Sequence, residues 1–197
     1  MSLSRAPVTI ALIVINVLIF ILDYYVLGGP DQDGLTPLLR AGAVVPLAVA
    51  HGEYYRLLTA GFLHFGIMHI AFNMYALAQA GMVVENIYGS ARFVVIYFVA
   101  LIAGNVLAYV TTIGTADASA GASGAIMGLF GAMAALGIKT PRLRGTLLQW
   151  ALFPIIATLA NGFANPGISN AAHIGGVIAG AIAGYVLPAT NLRQETP

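Results

Sequence analysis

Cysteine is absent from the 197-residue chain, which excludes disulfide bonds and thiolate metal sites. Charged side chains are also scarce: they make up 8% of the residues, whereas soluble domains carry roughly 25%. A chain with so few charges lacks the polar surface that would keep it dispersed in water. The net charge of +1 gives no indication of a nucleic-acid partner. Four histidines remain as candidate ligands or bases, and we predict no cofactor.

Hydrophobic residues make up 59% of the chain and are concentrated in long runs. A helix that spans the hydrocarbon core of a bilayer needs about 20 mostly apolar residues. Six runs predict such helices, at residues 7–27, 65–87, 93–113, 121–138, 146–163 and 170–187. The first run has no small-residue cleavage site, so we interpret it as a retained helix rather than a signal peptide. We predict an all-α polytopic membrane protein in which residues 1–197 form one membrane-embedded domain.

Basic residues predict the orientation, because cytoplasmic loops are enriched in Lys and Arg. Two arginines, Arg40 and Arg56, fall on one side of the predicted helices. The remaining six basic residues fall on the other side: Arg5, Arg92, Lys139, Arg142, Arg144 and Arg193. The distribution predicts that both termini are cytoplasmic. No Arg- and Ser-rich transit peptide precedes the first helix, which favours a bacterial cytoplasmic (inner) membrane.

Three polar motifs interrupt the apolar runs, and polar groups inside a bilayer are costly and usually functional. The second predicted helix carries His69 and Asn73 in HIAFN, the fourth opens with GASGAIMG around Ser123, and the sixth opens with NAAHIGG around His173. Asn73, Ser123 and His173 each lie about 21 to 22 Å from the inner end of their helix, at about 1.5 Å of rise per residue. The three motifs therefore share one depth, roughly 10 Å below the outer face of a core about 30 Å thick.

These residue types fit nucleophilic catalysis. A serine hydroxyl is a poor nucleophile until a base removes its proton, and histidine is the usual base. Ser123 lies at a predicted helix start, where free N–H groups and the helix dipole stabilise an oxyanion. Asn73 adds a side-chain donor, and His69 lies one turn away on the same face. Glu85 lies about 18 Å from the level of Asn73, too far to complete a triad.

Glycines on the fourth and sixth predicted helices explain how Ser123 and His173 can meet. Stripes of small residues let helix backbones approach closely. The stripes consist of Gly124 and Gly128 on one helix, and Gly176, Gly180 and Gly184 on the other. If the stripes face each other, the serine and the histidine come together at their outer ends as a Ser–His dyad.

The motifs resemble those of the rhomboid family of intramembrane serine proteases, in its bacterial six-helix form. GASG around Ser123 resembles the nucleophile motif, AHIGG around His173 resembles the base motif, and HIAFN resembles the HxxxN oxyanion motif. The resemblance covers about residues 53–187. Further matches are His64, Glu85 and the pair Tyr55 and Arg56.

The resemblance implies a catalytic dyad of Ser123 and His173, with an oxyanion hole formed by Asn73, His69 and the backbone N–H of Ser123. It implies an endopeptidase that cleaves other membrane proteins, mainly single-pass ones, in or near their transmembrane segments. One departure concerns Met127, which occupies a position where some members place a tyrosine against the catalytic histidine. A sulfur–aromatic contact can take over that role.

The resemblance also implies how a substrate reaches the site. Residues 164–169 would cap it, with Phe163 and Ile168 as apolar lid candidates. The fifth helix, with Trp150 and Phe153, would form a lateral gate.

Other interpretations stay open, since Ser123, His173, Asn73 and His69 taken singly are also common in helix packing. A small transporter would show internal repeats and broken helices, which the sequence does not show. A metal enzyme using His64, His69 and His173 would need better spacing than five residues on one helix. An inactive rhomboid-like protein that binds membrane clients usually lacks the serine or the histidine, and both are present here.

Overall fold

A computed structural model describes residues 6–115, 117–165 and 167–195 of the chain, with side chains as far as residue 192. Arg5 and the side chain of Arg193, which entered the prediction of orientation, lie outside the described residues. The same holds for Pro166 within the predicted lid.

Helices dominate the described ranges, in which extended pairing is limited to an isolated antiparallel bridge between Val44 and Ser119. The α-helices in chain order are α1 (Pro7–Ile21), α2 (Pro37–Gly42), α3 (Pro46–Ala50), α4 (Arg56–Thr59), α5 (Ile67–Tyr88), α6 (Ser90–Thr111), α7 (Ser123–Lys139), α8 (Arg144–Ala164) and α9 (Asn170–Val186). A π-helical segment, Leu22–Val26, extends α1. Short 3₁₀ segments lie at Ala60–Phe62, Pro141–Leu143 and Thr190–Glu195. The predicted all-α fold is confirmed, and the ends of the long helices differ from the predicted ones by at most three residues.

Four helical segments are long and apolar enough to cross a bilayer: Pro7–Val26, Ile67–Tyr88, Ser90–Thr111 and Pro141–Ala164. Helices α7 and α9 are apolar but contain 17 residues each. At about 1.5 Å per residue they are roughly 25 Å long, shorter than a core of about 30 Å. The two short helices are the ones that carry Ser123 and His173.

Helix α7 forms the centre of the molecule and packs against α5, α6, α8 and α9. Every residue from Gly124 to Met133 is buried. A helix enclosed on all sides must be apolar or small on every face, which explains why α7 shows no polar stripe. The nucleophile candidate Ser123 is therefore mounted on the most enclosed helix of the fold.

Helices α7 and α9 touch backbone to backbone. A Cβ atom on Gly176 would lie 2.8 Å from the carbonyl carbon of Gly124, and one on Gly180 would overlap the carbonyl oxygen of Gly128. Real Cβ atoms essentially never approach this closely. The prediction that the two glycine stripes face each other is confirmed.

Glu85 of α5 holds the start of α1. Its carboxylate accepts hydrogen bonds from Val8 N at 3.0 Å and from Thr9 N and Thr9 Oγ at 2.8 Å each. Ser90 Oγ donates a further bond at 2.6 Å, and Glu85 is 1% exposed. The first N–H groups of a helix have no partner within the helix, and a carboxylate there also complements the dipole.

Arg56 organises the loop that contains α2, α3 and α4. Its guanidinium donates to Glu53 Oε2 at 2.7 Å and to the carbonyl oxygens of Arg40 and Ala43 at 3.0 Å each. The loop also places Val44 beside Ser119, at the approach to α7. Arg56 thus fixes a segment that lies over the outer end of the helices.

Candidate active site

Ser123 and His173 meet at the outer ends of α7 and α9. The Oγ atom of Ser123 lies 2.9 Å from Nε2 of His173, although the residues are 50 positions apart. Ser123 is the first residue of α7, and His173 lies in the first turn of α9. His173 is buried, whereas Ser123 is partly exposed. The arrangement lets Nε2 accept the serine proton while the hydroxyl stays open to a reactant.

The turn before Ser123 depends on Gly121. Gly121 has a φ of +129°, a conformation that side chains disfavour, and its N–H donates to Ala60 O at 2.9 Å. A Cβ atom here would lie 2.9 Å from both Cε1 and Nε2 of His69, and 3.8 Å from Ser123 Oγ. The missing side chain therefore lets the His69 ring lie against Gly121, next to Ser123. The sequence analysis did not assign a functional role to Gly121, although this glycine lies two residues before Ser123.

One ring nitrogen of His69, Nδ1, already accepts a hydrogen bond. The backbone N–H of Phe65 donates to Nδ1 of His69 at 3.3 Å. In a neutral imidazole one nitrogen accepts and the other carries hydrogen, so Nε2 is the donor. The Phe65 ring stacks on His69 at 6.1 Å between centroids, and the ring of His64 meets it edge-on at 5.1 Å. His69 therefore presents an N–H group to the space beside Gly121.

Asn73 is buried one turn further along α5, but its side chain is engaged elsewhere. Its Nδ2 donates to the carbonyl oxygen of His69 at 2.9 Å, within the same helix. The structure brings Asn73 to the predicted helix face, yet no hydrogen bond joins it to Ser123 or His173 among the described contacts. The amide nitrogen carries two hydrogens, so this bond leaves Asn73 a second donor for an oxyanion.

His64 is buried behind His69 at 2% exposure. Burial, assisted by the neighbouring His69, lowers its pKa to about 3, so the ring is neutral at pH 7. No hydrogen bond to either ring nitrogen has normal geometry in the described part of the chain. Within the same ranges no three His, Asp or Glu side chains are grouped to hold a metal ion. The metal-enzyme interpretation gains no support from this geometry.

His173 has no carboxylate behind it. Its Nδ1 is buried and finds no hydrogen-bond partner among the described residues. Met127, at the position of the family's tyrosine, is buried one turn after Ser123. The imidazole is therefore oriented by its bond to Ser123 and by packing, without the third member of a triad.

The candidate gate lies on α8. Trp150 and Phe153 are 51% and 77% exposed, respectively. The buried residues of this helix are Leu147, Ala151 and Ile155, all in its first twelve residues. The last nine residues, 156–164, contain no buried residue, whereas Trp150 and Phe153 lie among the first twelve.

The candidate lid follows α8. Phe163 is 81% exposed, whereas Ile168 is half-buried. Ser169 Oγ caps α9 by accepting a hydrogen bond from Ala172 N at 3.2 Å. Asn170 Nδ2 donates to Leu159 O at 3.2 Å and ties α9 to the end of α8. The described lid residues thus stand directly before the helix that carries His173.

Comparison with known proteins identifies the family. The fold defines the class of the molecule: an integral, polytopic helical membrane protein, in which Ser123 Oγ and His173 Nε2 lie 2.9 Å apart. A family model described as the rhomboid domain matches residues 51–190. The chain belongs to the rhomboid family, and the resemblance drawn from its motifs is confirmed.

Several curated relatives support the assignment. The chain is 41% identical to Rhomboid protease GluP of Bacillus subtilis (strain 168) over 151 residues, which are 76% of this chain and 29% of the relative. It is 34% identical to RHOMBOID-like protein 5 of Arabidopsis thaliana over 153 residues, 76% of this chain and 49% of the relative. It is 30% identical to Rhomboid protease AarA of Providencia stuartii over 224 aligned positions, covering 98% and 77% of the two chains. The chain thus spans less than half the length of the first two relatives.

Proposed function

We propose that the chain is an intramembrane serine endopeptidase that cuts transmembrane proteins, single-pass ones in particular, in or near their membrane segments. The observation that carries the proposal is the 2.9 Å separation of Ser123 Oγ and His173 Nε2. Two relatives that are named rhomboid proteases, GluP and AarA, support it. No cofactor enters the reaction.

The reaction follows from the two side chains. His173 Nε2 takes the proton of Ser123 as Oγ attacks the scissile carbonyl carbon, and the carbonyl oxygen becomes an oxyanion. His173 then gives this proton to the leaving amine, and the C–N bond breaks to leave an acyl-enzyme. A water molecule, deprotonated by His173, attacks the ester carbon. The bond from this carbon to Oγ then breaks, the carboxylic acid product leaves, and His173 returns the proton to Ser123.

The oxyanion hole lies at the start of α7. We assign to it the backbone N–H of Ser123, the Nε2–H of His69 and the amide of Asn73. The free N–H groups and positive dipole end of α7 add to these donors. Preorganised donors of this kind usually contribute the largest single share of rate enhancement in acyl transfer. The missing side chain at Gly121 lets the His69 ring approach this site.

We propose further that the chain crosses the membrane six times as one domain, with both termini in the cytoplasm of a bacterial cell. The shortness of α7 and α9 supports a site that lies below the outer surface yet reaches water, because their outer ends need not reach the interface. The basic residues Arg92, Lys139 and Arg142 support this orientation.

We assign substrate entry to the last nine residues of α8, 156–164. None of these residues is buried, so their displacement exposes little core. Phe163, which is 81% exposed, lies in this stretch, whereas Trp150 and Phe153 lie in the part of α8 that carries the buried residues. Residues 164–169 act as the lid above the site.

The proposal is tested by cleavage of a single-span model substrate by the purified protein in lipid, beside Ser123→Ala. We expect the parent to cut and the variant to be inactive while unfolding at the same temperature. If neither cuts, labelling with a serine-reactive phosphonate decides. Labelling of Ser123 in the parent supports a protease whose substrate was not supplied, whereas failure to label favours an inactive rhomboid-like protein that binds membrane clients. A small transporter has no specific support in the structure.

A further inference from the structure

An apolar groove runs between α6 and α9 near their inner ends. It has a volume of about 400 Å³. Two valines of α6 and the outward face of α9 line it, and every lining residue is apolar: Val95, Val99, Ala179, Ile182, Ala183, Val186 and Leu187. A groove of this composition at membrane depth accepts hydrocarbon and excludes polar groups.

A second pocket, also of about 400 Å³, adjoins the groove at the inner end of α9. The two share Val186 and Leu187 as lining residues. Unlike the groove, the pocket is partly polar, because Lys139 and Thr140 at the end of α7 contribute to its wall. An apolar channel therefore opens at one end onto a cation and a hydroxyl group.

The ammonium group of Lys139 is held in place. Its Nζ donates to the carbonyl oxygen of Tyr185 at 2.6 Å and lies 4.8 Å from the centre of the Tyr185 ring. The negative end of the α9 dipole favours a cation here. An ammonium group has three donors, so two remain for a ligand. Lys139 is also exposed, so an incoming group can reach it.

The described side chains provide no acid that neutralises the positive charge at this end. Among them, ion pairs join Arg40 to Asp31 and Asp33, and Arg56 to Glu53, all in the outer loop. Lys139, Arg142 and Arg144 lie at the junction of α7 and α8 and form no ion pair with a described side chain. The carboxylate of Glu85 is buried against the start of α1.

We propose that the inner end of α9 binds one anionic phospholipid, with an acyl chain in the groove and the phosphate beside Lys139. A phospholipid joins a hydrocarbon chain to an anion, and here an apolar groove joins a cationic pocket across Val186 and Leu187. Basic pockets between helices on the cytoplasmic side suit such head groups. The site lies at the opposite end of α9 from His173, and the proposal does not depend on proteolysis.

Native mass spectrometry of the detergent-solubilised protein tests the proposal. The probes are dioleoyl-phosphatidylglycerol and dioleoyl-phosphatidylcholine, which share their acyl chains and differ in net charge. We expect phosphatidylglycerol to bind tighter by about fivefold, the effect of about one basic residue at a membrane surface. Equal retention of the two lipids by the parent protein would overturn the proposal, and that comparison requires no variant.

Two variants, each with a control, locate the lipid. Lys139→Gln removes the cation that lines the pocket, and its control, Arg142→Gln, removes a neighbouring charge that does not line the pocket. Ala183→Phe fills the groove, and Val110→Phe adds the same bulk to an exposed position on α6 outside it. We expect Lys139→Gln and Ala183→Phe to abolish the preference or the binding, and the two controls to keep both. An equal loss in Lys139→Gln and Arg142→Gln would assign binding to diffuse charge, and unaltered binding in Ala183→Phe would place the chain elsewhere.

Discussion

A methyl group on Gly176 would lie 2.8 Å from the carbonyl carbon of Gly124, so α9 and α7 are in contact through their backbones next to the dyad. Gly124 follows Ser123, and Gly176 lies three residues after His173. The contact therefore sets how far apart the nucleophile and the base can lie. A spacing fixed by backbone atoms leaves little freedom for the 2.9 Å approach of Oγ and Nε2 to vary.

Gly180→Val tests whether this packing is essential. The added side chain would overlap the carbonyl of Gly128, and overpacking costs about 1 to 3 kcal/mol, or more against rigid backbone. We expect a lower unfolding temperature and loss of cleavage. Gly145→Ala on α8 is the control, because nothing lies within 4 Å of its added Cβ. Parent-like stability of Gly180→Val would show that the two helices can separate without penalty.

Gly121→Ala should damage catalysis more than stability. The methyl group would lie 2.9 Å from Cε1 and Nε2 of His69, so the ring that we assign to the oxyanion hole would have to move. We expect kcat to fall while the protein stays folded. Gly114→Ala is the control, since Gly114 also has a positive φ, +88°, but open space around its Cβ position. If both variants lose activity equally, backbone strain rather than displacement of His69 is responsible.

Asn73→Ala should lower turnover by about 10- to 1000-fold, the usual effect of losing one oxyanion donor. We expect the change mainly in kcat, because the donor acts when charge develops on the substrate oxygen. Asn86→Ala is the control. Asn86 makes the same kind of bond to the carbonyl four residues earlier, Met82 O at 2.6 Å, but at the inner end of α5. An unchanged rate in Asn73→Ala would assign this residue to helix packing.

Glu85→Gln should destabilise the protein without altering the site. One carboxylate oxygen becomes an amide that faces the N–H donors of Val8 and Thr9, which leaves buried donors unsatisfied. The expected loss in unfolding free energy is about 1 to 3 kcal/mol. Ser90→Ala, which removes a single donor to the same carboxylate, should cost less. Equal stability of Glu85→Gln and parent would mean that α1 is held by apolar packing.

His64 should make the protein sensitive to acid. Its pKa is about 3 in the folded protein because the ring is buried beside His69, and near 6.5 when unfolded. The unfolded state therefore gains a proton first as the pH drops, so the stability is complete above about pH 6.5 and is lost progressively towards pH 3. The slope from this one group is at most about 1.4 kcal/mol per pH unit.

His64→Phe removes that contribution. We expect a shallower loss of unfolding free energy between pH 6.5 and pH 4 than in the parent, whatever the stability at neutral pH. His51→Gln is the control, since His51 is exposed and bonded to Leu47 O within the outer loop. If the unfolding free energy changes equally with pH in the parent and in His64→Phe, then His64 binds protons equally well in the folded and unfolded protein.

The positions of the long helices and the pairing of Ser123 with His173 could be predicted from sequence. Apolar runs report spanning helices directly, and the glycine stripes of α7 and α9 indicate which helices approach closely. The distribution of polar groups by depth places the serine and the histidine at one level. Each of these signals is carried by residues near one another in the chain.

Other features depend on contacts between distant segments and could not be read in this way. Nothing in the sequence shows that a side chain at Gly121 would reach His69, or that the N–H of Phe65 fixes which nitrogen of His69 carries hydrogen. The partner of Glu85 lies 76 residues away at Thr9. The hydrogen bond from Asn73 Nδ2 to the His69 carbonyl oxygen is likewise not evident from the sequence.

Helix α7 is enclosed by other helices, whereas much of α8 is exposed, so substitutions in the two helices have different effects. A substitution between Gly124 and Met133 touches several neighbouring helices at once, so it disturbs the dyad together with the core. Trp150 and Phe153 are 51% and 77% exposed, so a substitution there disturbs little of the core. Under the proposed function, the preference for a substrate can therefore change along α8 while Ser123 and His173 keep their geometry.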